Sequence, residues 1–198
     1  MQQIVLATGN AGKVAEFATL LADSPFQIVP QSDFNVTDAI ENGTTFVENA
    51  IIKARHAARI TGLAAIADDS GIEVDALQGQ PGIHSARYGG EHGNAQANID
   101  LLLRNMTGIE ARSARFQCVL VYLRHADDPS PIIAQASWEG RIAQQASGAG
   151  GHGYDPIFLV GTEQRSAAEL SEQEKNAISH RGKALQLLLA GLQEKGIL

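Results

Sequence analysis

The chain has 198 residues, 44% of them hydrophobic, and a formal net charge of −7 at neutral pH. This length suits one domain, spanning residues 1–198, with an ordinary globular core. The acidic balance argues against a nucleic-acid-binding protein, because such surfaces need clustered positive charge. An anionic ligand must therefore be met by a local cationic pocket.

Cysteine usage and hydropathy narrow the class of protein further. Cys118 is the only cysteine and lies in the apolar run FQCVLVYL, which excludes an intramolecular disulfide and a multi-cysteine zinc site. The first residues lack the pattern of a secretory signal, and no apolar run approaches the length of a membrane span. We therefore expect a cytoplasmic protein without membrane partners.

The first part of the chain alternates strand and helix patterns. QIVLA (3–7) and FQIVP (26–30) are typical of strands, and residues 11–21 are predicted to be a helix between them. Thr45 and Glu48 form a capping-box pair that predicts the start of a second helix, with Asn49 and Lys53 on its exposed face. The predicted apolar stripes are Val14, Phe17, Ala18 and Leu21 in the first helix and Val47, Ala50, Ile51, Ala54 and Ala58 in the second.

Further strands follow in the middle of the chain. LAAIA (63–67) is typical of a buried strand and IEVDAL (72–77) of a half-exposed one, with DDSG (68–71) predicted to be a hinge-like turn between them. Residues 114–124 and 131–143 indicate two long consecutive strands with antiparallel potential. We therefore predict a mixed sheet in an α/β fold.

Helical patterns complete the chain. A third helix is predicted from Asn94, and Ser171 with Glu174 forms a capping-box pattern before a short helix. The apolar stripes are Ile99, Leu102, Leu103 and Met106 in the third helix and Leu185, Leu188, Leu189 and Leu192 in the last.

TGNAGK, residues 8–13, is a glycine-containing turn between a strand and a helix. Glycines allow close backbone approach to a ligand, and the first amide groups of a helix favour phosphate. Lys13 would add a full positive charge. From these residues alone, a phosphate site and a simple helix start capped by Asn10 are equally good interpretations.

Asp68 and Asp69 follow a buried strand, at the carboxyl end where ligands collect in α/β sheets. An acidic turn is the better interpretation of DDSG taken alone. If the second helix lies beside these residues, however, Glu41 and Asp69 could bind a hard cation such as Mg²⁺, with Lys53 facing phosphates.

EKNAISHRGKAL contains Lys175, His180 and Arg181, which are either a basic surface turn or a base-binding group. A guanidinium offers paired donors to a planar acceptor edge, and an imidazole offers a ring for stacking, so a purine would suit them. The loop SGAGGHGYDP adds His152, Tyr154 and Asp155 as potential neighbours. A magnesium nucleotide is the common ligand that these groups favour.

Five ordered blocks closely resemble the inosine triphosphatase family, also called dITP/XTP pyrophosphatases, over nearly the whole chain. They are TGNAGKVAEF, ENGTTFVENAIIKA, IADDSGIEVDAL with QGQPGIHSARY, GGHGYDPIF and EKNAISHRGKAL. The resemblance implies an elongated mixed β-sheet with flanking helices forming two lobes around a central active-site cleft, and a homodimer. It also implies Mg²⁺-dependent hydrolysis of ITP, dITP and XTP to the monophosphate and pyrophosphate, which removes these nucleotides before their incorporation into nucleic acid.

The resemblance also implies roles for individual residues. Asp69 matches the catalytic acid or base, and Glu41 matches the metal-binding glutamate. By its chemistry Asp69 could instead hold the metal, and Asp68 could then take the other role. The triphosphate cradle corresponds to Thr8, Gly9, Asn10, Ala11, Gly12, Lys13 and Lys53. The remaining substrate-binding positions correspond to Ser70, His152, Gly153, Tyr154, Asp155, Lys175, His180 and Arg181.

His152 departs from the family pattern, because many relatives have a phenylalanine there whose ring is expected to stack on the base. Imidazole is smaller than phenyl and titrates near neutrality, so we expect weaker or pH-sensitive base binding.

Three rival functions remain open at this stage. A phosphohydrolase acting on ordinary nucleotides would release orthophosphate instead of pyrophosphate. A nucleotide sensor without catalysis would not need Glu41, Asp68 and Asp69, and a purely structural protein would leave the five polar blocks unexplained.

Overall fold

The computed structural model describes residues 2–21 and 25–198 of the chain. The strands of the described residues are β1 (Gln2–Leu6), β2 (Phe26–Pro30), β3 (Ala64–Val74), β4 (Ser113–Leu123), β5 (Ile132–Ile142), β6 (Phe158–Val160) and β7 (Arg165–Ser166). The α-helices are α1 (Ala11–Leu20), α2 (Phe46–Thr61), α3 (Ala95–Asn105), α4 (Glu172–Ile178) and α5 (His180–Glu194).

The strands form one seven-stranded sheet in the order β2-β1-β3-β4-β5-β6-β7. β1 pairs in parallel with β2 and with β3, whereas β6 pairs in antiparallel fashion with β5 and with β7. The predicted α/β fold with a mixed sheet and flanking helices is therefore confirmed.

The chain divides into two compact units. Unit 1 contains residues 1–69, 118–136 and 181–198, and unit 2 contains residues 70–117 and 137–180. The division falls within β3, between Asp69 and Ser70, and again between His180 and Arg181. The description of the chain as a single domain stays a prediction.

Unit 1 buries a core of side chains from strands and from two helices. Phe17 of α1 and Leu188 of α5 are fully buried in this core, together with Ile66 of β3. The predicted leucine stripe of α5 is confirmed, since Leu185, Leu188 and Leu192 are buried and Leu189 packs against them. In α1 the prediction was wrong for Ala18, which is exposed.

Unit 2 has its own core. The stripe predicted for α3 is confirmed, because Ile99, Leu102 and Met106 are buried there and Leu103 packs against them. Ile72 and Val74 of β3 lie in the same core, together with the aromatic side chains of Phe116, Trp138, Tyr154 and Phe158.

Two predicted features differ from the structure. DDSG is not a turn, because β3 continues through it without interruption. The predicted capping box of α2 is present, with Thr45 and Glu48 bonding each other's backbone amides, but Asn49 is buried instead of exposed. Within the described ranges, no helix has both the length and the apolar character needed to cross a bilayer.

The connection between β4 and β5 is organised by a single buried carboxylate, that of Asp128. It accepts hydrogen bonds from the backbone amides of Arg124 (3.1 Å) and Ser130 (3.0 Å). The guanidinium of Arg124 donates to both carboxylate oxygens, at 2.8 and 2.7 Å. The side chain of Asp128 is 1% exposed, whereas that of the neighbouring Asp127 is 89% exposed.

We predict that Asp128→Ala lowers the free energy of unfolding by about 1–3 kcal/mol, because the amides of Arg124 and Ser130 and the Arg124 guanidinium lose their shared acceptor. The matched change Asp127→Ala should stay within about 0.5 kcal/mol, since only an exposed pair with Arg59 is lost. Urea unfolding of parent and variants measures both. Equal losses of stability in the two variants would contradict the conclusion that Asp128 organises this connection.

The contribution of the Asp128 carboxylate to stability should also decrease as the pH falls. The hydrogen bonds from the Arg124 side chain lower the pKa of Asp128 and outweigh the opposing effect of burial. The carboxylate therefore stabilises the fold above the unfolded-state pKa of about 4, and this contribution is lost as the pH falls below it. The difference between parent and Asp128→Ala should accordingly shrink in acid.

Candidate functional site

Asp68 and Asp69 are adjacent residues inside β3, so their side chains point to opposite faces of the sheet. The structure shows the consequence within unit 1. Lys13 of α1 bonds to Asp68, whereas Lys53 of α2 bonds to Asp69 at 2.7 Å. The two carboxylates therefore serve different helices and have different surroundings.

The Asp68 carboxylate is almost completely buried and is neutralised by two cations. One oxygen accepts from the Lys13 ammonium, and the other lies 3.4 Å from Nε of Arg181. Burial would raise the pKa of Asp68, but the charges of Lys13 and Arg181 outweigh burial and hold it well below its usual range. Asp68 is thus an anchor that stays ionised at neutral pH and a poor general base.

Asp69 lies in a contrasting environment. Its carboxylate is 11% exposed, and Lys53 Nζ bridges it to Glu41, at 2.7 Å from Asp69 and 3.3 Å from Glu41. Burial raises the pKa of Asp69 and outweighs the attraction of the Lys53 ammonium. For Lys53, burial alone would lower the pKa, but Asp69, Asp68 and Glu41 together raise it. A charged ammonium therefore stands between two carboxylates, one of which binds protons more readily than an ordinary aspartate.

The loop that carries Glu41 is fixed to the start of α2. The Glu48 carboxylate accepts from the backbone amides and hydroxyls of Thr44 and Thr45, at distances of 2.7–3.0 Å. The amide of Gly43 donates to Oδ1 of the buried Asn49 at 2.9 Å. A Cβ atom at residue 43 would lie 2.6 Å from the Cβ of Glu48, so this close approach requires glycine. Asn49 therefore holds the loop.

The TGNAGK turn begins α1 with side-chain bonds of its own. Thr8 Oγ1 accepts from the amide of Asn10, and Asn10 Oδ1 caps the helix by accepting from the amide of Lys13, both at 3.1 Å. The predicted cap by Asn10 is therefore confirmed. Lys13 is not a solvated surface lysine, however, because its ammonium bonds to the buried Asp68. The turn thus combines a helix N-terminus with a fixed cation.

A second polar group lies in unit 2, in the loop that contains GGHGYDP. Oδ2 of Asp155 accepts from the amide of His152 at 2.6 Å and from the ammonium of Lys175 at 2.5 Å. Tyr154 is buried and its hydroxyl donates to the carbonyl of Ser85 at 2.8 Å. In the same loop, His152 and Gly153 are exposed.

His180 is buried in unit 2 within an aromatic stack. Its ring lies parallel to that of Phe116, with 4.8 Å between centroids and an interplanar angle of 10°. Trp138 stacks at 6.3 Å. Packing against these two rings therefore fixes the orientation of the imidazole. A ring that positions its neighbours or a base must be held in this way.

The predicted site residues thus fall into two groups. Those in unit 1 are Thr8 to Lys13, Glu41, Lys53, Asp68, Asp69 and Arg181. Those in unit 2 are Ser70, His152 to Asp155, Lys175 and His180.

Sequence reasoning missed three contributors. Glu16 bonds to the Arg181 guanidinium, Asn49 holds the Glu41 loop, and Ser85 accepts from Tyr154. Glu16 could have been found, because it lies three residues after Lys13 and therefore on the same side of α1. No local hydropathy or capping pattern marks the hydrogen-bonding roles of Asn49 and Ser85.

Comparison with known proteins adds a separate observation. The model of the Ham1 family matches residues 4–191. The chain belongs to the Ham1 family. Its relatives include a dITP/XTP pyrophosphatase of Shewanella oneidensis, 62% identical over 100% of this chain and 97% of the relative, and one of Thioalkalivibrio sulfidiphilus, 64% identical over 96% and 98%. The resemblance inferred from the five blocks is thereby confirmed.

Solved structures of Ham1 proteins have the same fold. A HAM1 protein from Coxiella burnetii is 49% identical and superposes with a TM-score of 0.92, covering 98% of this chain and 100% of that one. A dITP/XTP pyrophosphatase from Mycobacterium abscessus is 40% identical with a TM-score of 0.77, covering 96% and 100%.

For this Ham1 protein we predict unequal effects of two aspartate substitutions on stability. Asp68→Asn should lower the free energy of unfolding by about 3–5 kcal/mol, because Lys13 loses its buried counter-charge and Arg181 keeps Glu16 alone among its described carboxylate partners. Asp69→Asn should cost less, since Lys53 keeps Glu41 as a partner. Urea unfolding of both variants without added metal tests this, and equal losses would show that the two carboxylates are not different anchors.

Proposed function

We propose that the protein hydrolyses ITP, dITP and XTP to the nucleoside monophosphate and pyrophosphate, and so removes deaminated purine nucleotides before their incorporation into nucleic acid. The observation that carries the proposal is the Asp69–Lys53–Glu41 bridge in unit 1 of a Ham1-family chain. Near-full-length relatives named dITP/XTP pyrophosphatase support the choice of substrate.

Mg²⁺ is the proposed cofactor, and the residues present fit it. Glu41 and Asp69 offer hard carboxylate oxygens on either side of one ammonium, so both lie near a position that already holds a cation. Among the described residues there is no cluster of three or more potential protein ligands. Mg²⁺ is commonly held by one or two carboxylates together with substrate phosphates and water, which matches this pair.

Asp69 is the proposed base for the attacking water. Its pKa is raised by burial, so the carboxylate accepts a proton more readily than Asp68 does. A carboxylate bound directly to a metal is a weaker base, so the two roles of Asp69 compete. When bound, Mg²⁺ would supply positive charge to the phosphates, and Lys13 and Lys53 would stabilise the charge that develops on departing pyrophosphate.

Following the family resemblance, we propose that the turn at residues 8–13 and Lys53 bind the phosphates. The residues proposed to bind the base are His152, Tyr154, Asp155, Lys175, His180 and Arg181. Hypoxanthine and xanthine present O6 as an acceptor where adenine presents an amino group, so protein donors favour the former. A site built around such donors can reject adenine by a factor of about 10⁴. Guanine shares O6, so its rejection must depend on the surroundings of its 2-amino group. His152, which is exposed in its loop, is the proposed stacking partner of the base.

The proposed assembly follows from the family resemblance alone. We propose a homodimer in the cytoplasm. Size-exclusion chromatography with light scattering tests the dimer directly.

We predict that the parent protein with Mg²⁺ releases pyrophosphate from ITP, dITP and XTP far faster than from ATP or GTP. Asp69→Asn should reduce these rates by about 10²–10⁴-fold, because the proposed base is lost. The measurement is a hydrolysis panel over the five nucleotides that resolves pyrophosphate from orthophosphate.

Asp127→Asn is the matched control, since this aspartate is 89% exposed and pairs only with Arg59 among the contacts described. Orthophosphate as the product would favour the rival phosphohydrolase. Binding without turnover would favour the nucleotide sensor.

We further predict that Glu41→Gln raises the Mg²⁺ concentration needed for half-maximal activity by about tenfold or more, because one of two carboxylate ligands becomes neutral. A readout independent of activity is the binding of Mn²⁺ measured by electron paramagnetic resonance. Glu16→Gln is the control, since the Glu16 carboxylate bonds to Arg181, whereas that of Glu41 pairs with Lys53. Unchanged metal binding in Glu41→Gln would remove Glu41 from the metal site.

A further inference from the structure

The block QPGIHSARY, residues 80–88, contains none of the residues assigned to the site, yet it carries a fully engaged buried serine. The hydroxyl of Ser85 accepts from the amide of Ile72 at 2.9 Å and donates to the carbonyl of Gly82 at 2.6 Å. Ser85 is 7% exposed. Because both functions of the hydroxyl are used, Ser85 fixes this block to β3 within unit 2.

The backbone carbonyl of Ser85 makes the next connection. It accepts from the hydroxyl of Tyr154 at 2.8 Å, and both groups are buried. Burial raises the pKa of the Tyr154 hydroxyl, so it stays a neutral donor. The hydroxyl of Tyr154 is thus bonded inside the protein, to the carbonyl of Ser85. Tyr154 therefore acts through the loop that carries it and is a positioning residue.

That loop is held on its other side by Asp155. Its carboxylate bonds the amide of His152 and the ammonium of Lys175, as described above. Gly151 has φ of +78°, and a Cβ there would lie 2.3 Å from Oδ2 of Asp155, so the chain must be glycine at this point. The exposed His152 is thus carried by a backbone that is tied on both sides.

We propose that the hydrogen bond from Tyr154 to Ser85 positions the His152 loop for discrimination between purine bases. The inference rests on the proposed function and adds one residue, Ser85, together with a positioning role for Tyr154. Recognition of a base edge depends on donors and rings held to within about 0.5 Å, and such precision requires supporting contacts. Ser85, Tyr154 and Asp155 are those contacts for His152.

The test removes one oxygen atom. Tyr154→Phe keeps the ring and leaves the Ser85 carbonyl without this donor. Losing one buried hydrogen bond should raise the KM for ITP about tenfold, with kcat changed by less than about threefold. The ratio of kcat/KM for ITP to that for ATP should fall by about the same factor. Tyr88→Phe is the matched control, because its hydroxyl accepts from Asn105 (2.8 Å), outside the His152 loop.

The outcomes separate this inference from the proposed function. If Tyr154→Phe lowers the rates with ITP and ATP in equal proportion, or if Tyr88→Phe lowers the selectivity ratio equally, the bond supports only the fold and the inference is overturned. A selective parent with an unaffected Tyr154→Phe variant overturns the inference alone. A parent that does not distinguish ITP from ATP overturns the proposed function with it. Hydrogen exchange of the amides at residues 151–155 should be faster in Tyr154→Phe than in Tyr88→Phe.

Discussion

The alternation of side chains along β3 is the constraint on which the arrangement of unit 1 depends. Two successive residues of a strand cannot face the same side, so Asp68 and Asp69 are forced onto opposite faces of the sheet. Asp68 thereby holds the first turns of α1 and α5 through Lys13 and Arg181. Asp69, on the opposite face, forms an ion pair with Lys53 of α2. One dipeptide therefore fixes cations from three helices.

This division also separates the chemistry of two identical side chains. Asp68 is surrounded by positive charge and stays ionised, whereas burial leaves Asp69 with a raised pKa. Pairs of carboxylates whose pKa values are pushed apart can take different roles at a single pH. The sequence left open whether Asp68 or Asp69 is the better base, and the surroundings of the two side chains favour Asp69.

Much of the fold was predictable because its local patterns are strong. The capping box at Thr45 and the leucine stripe of α5 depend on residues three or four positions apart, which periodicity detects. The path of β3 through DDSG was not predictable from the sequence. Serine and glycine favour turns, and the pairing that extends a strand is not local. The burial of Asn49 depends on the amide of Gly43, and no hydropathy pattern records that partner.

The internal ion pairs also explain why the proposed site calls for a divalent cation. Lys13 and Lys53 are already paired with carboxylates in the protein, so an incoming triphosphate competes with Asp68 and Asp69 for them. Glu41 and Asp69 carry two negative charges against the single charge of Lys53, and phosphates placed beside them would be repelled. A bound Mg²⁺ would reverse that balance, since it would add two positive charges beside the carboxylates of Glu41 and Asp69. The same carboxylates that would repel the phosphates alone would then favour binding of the proposed substrate together with its metal.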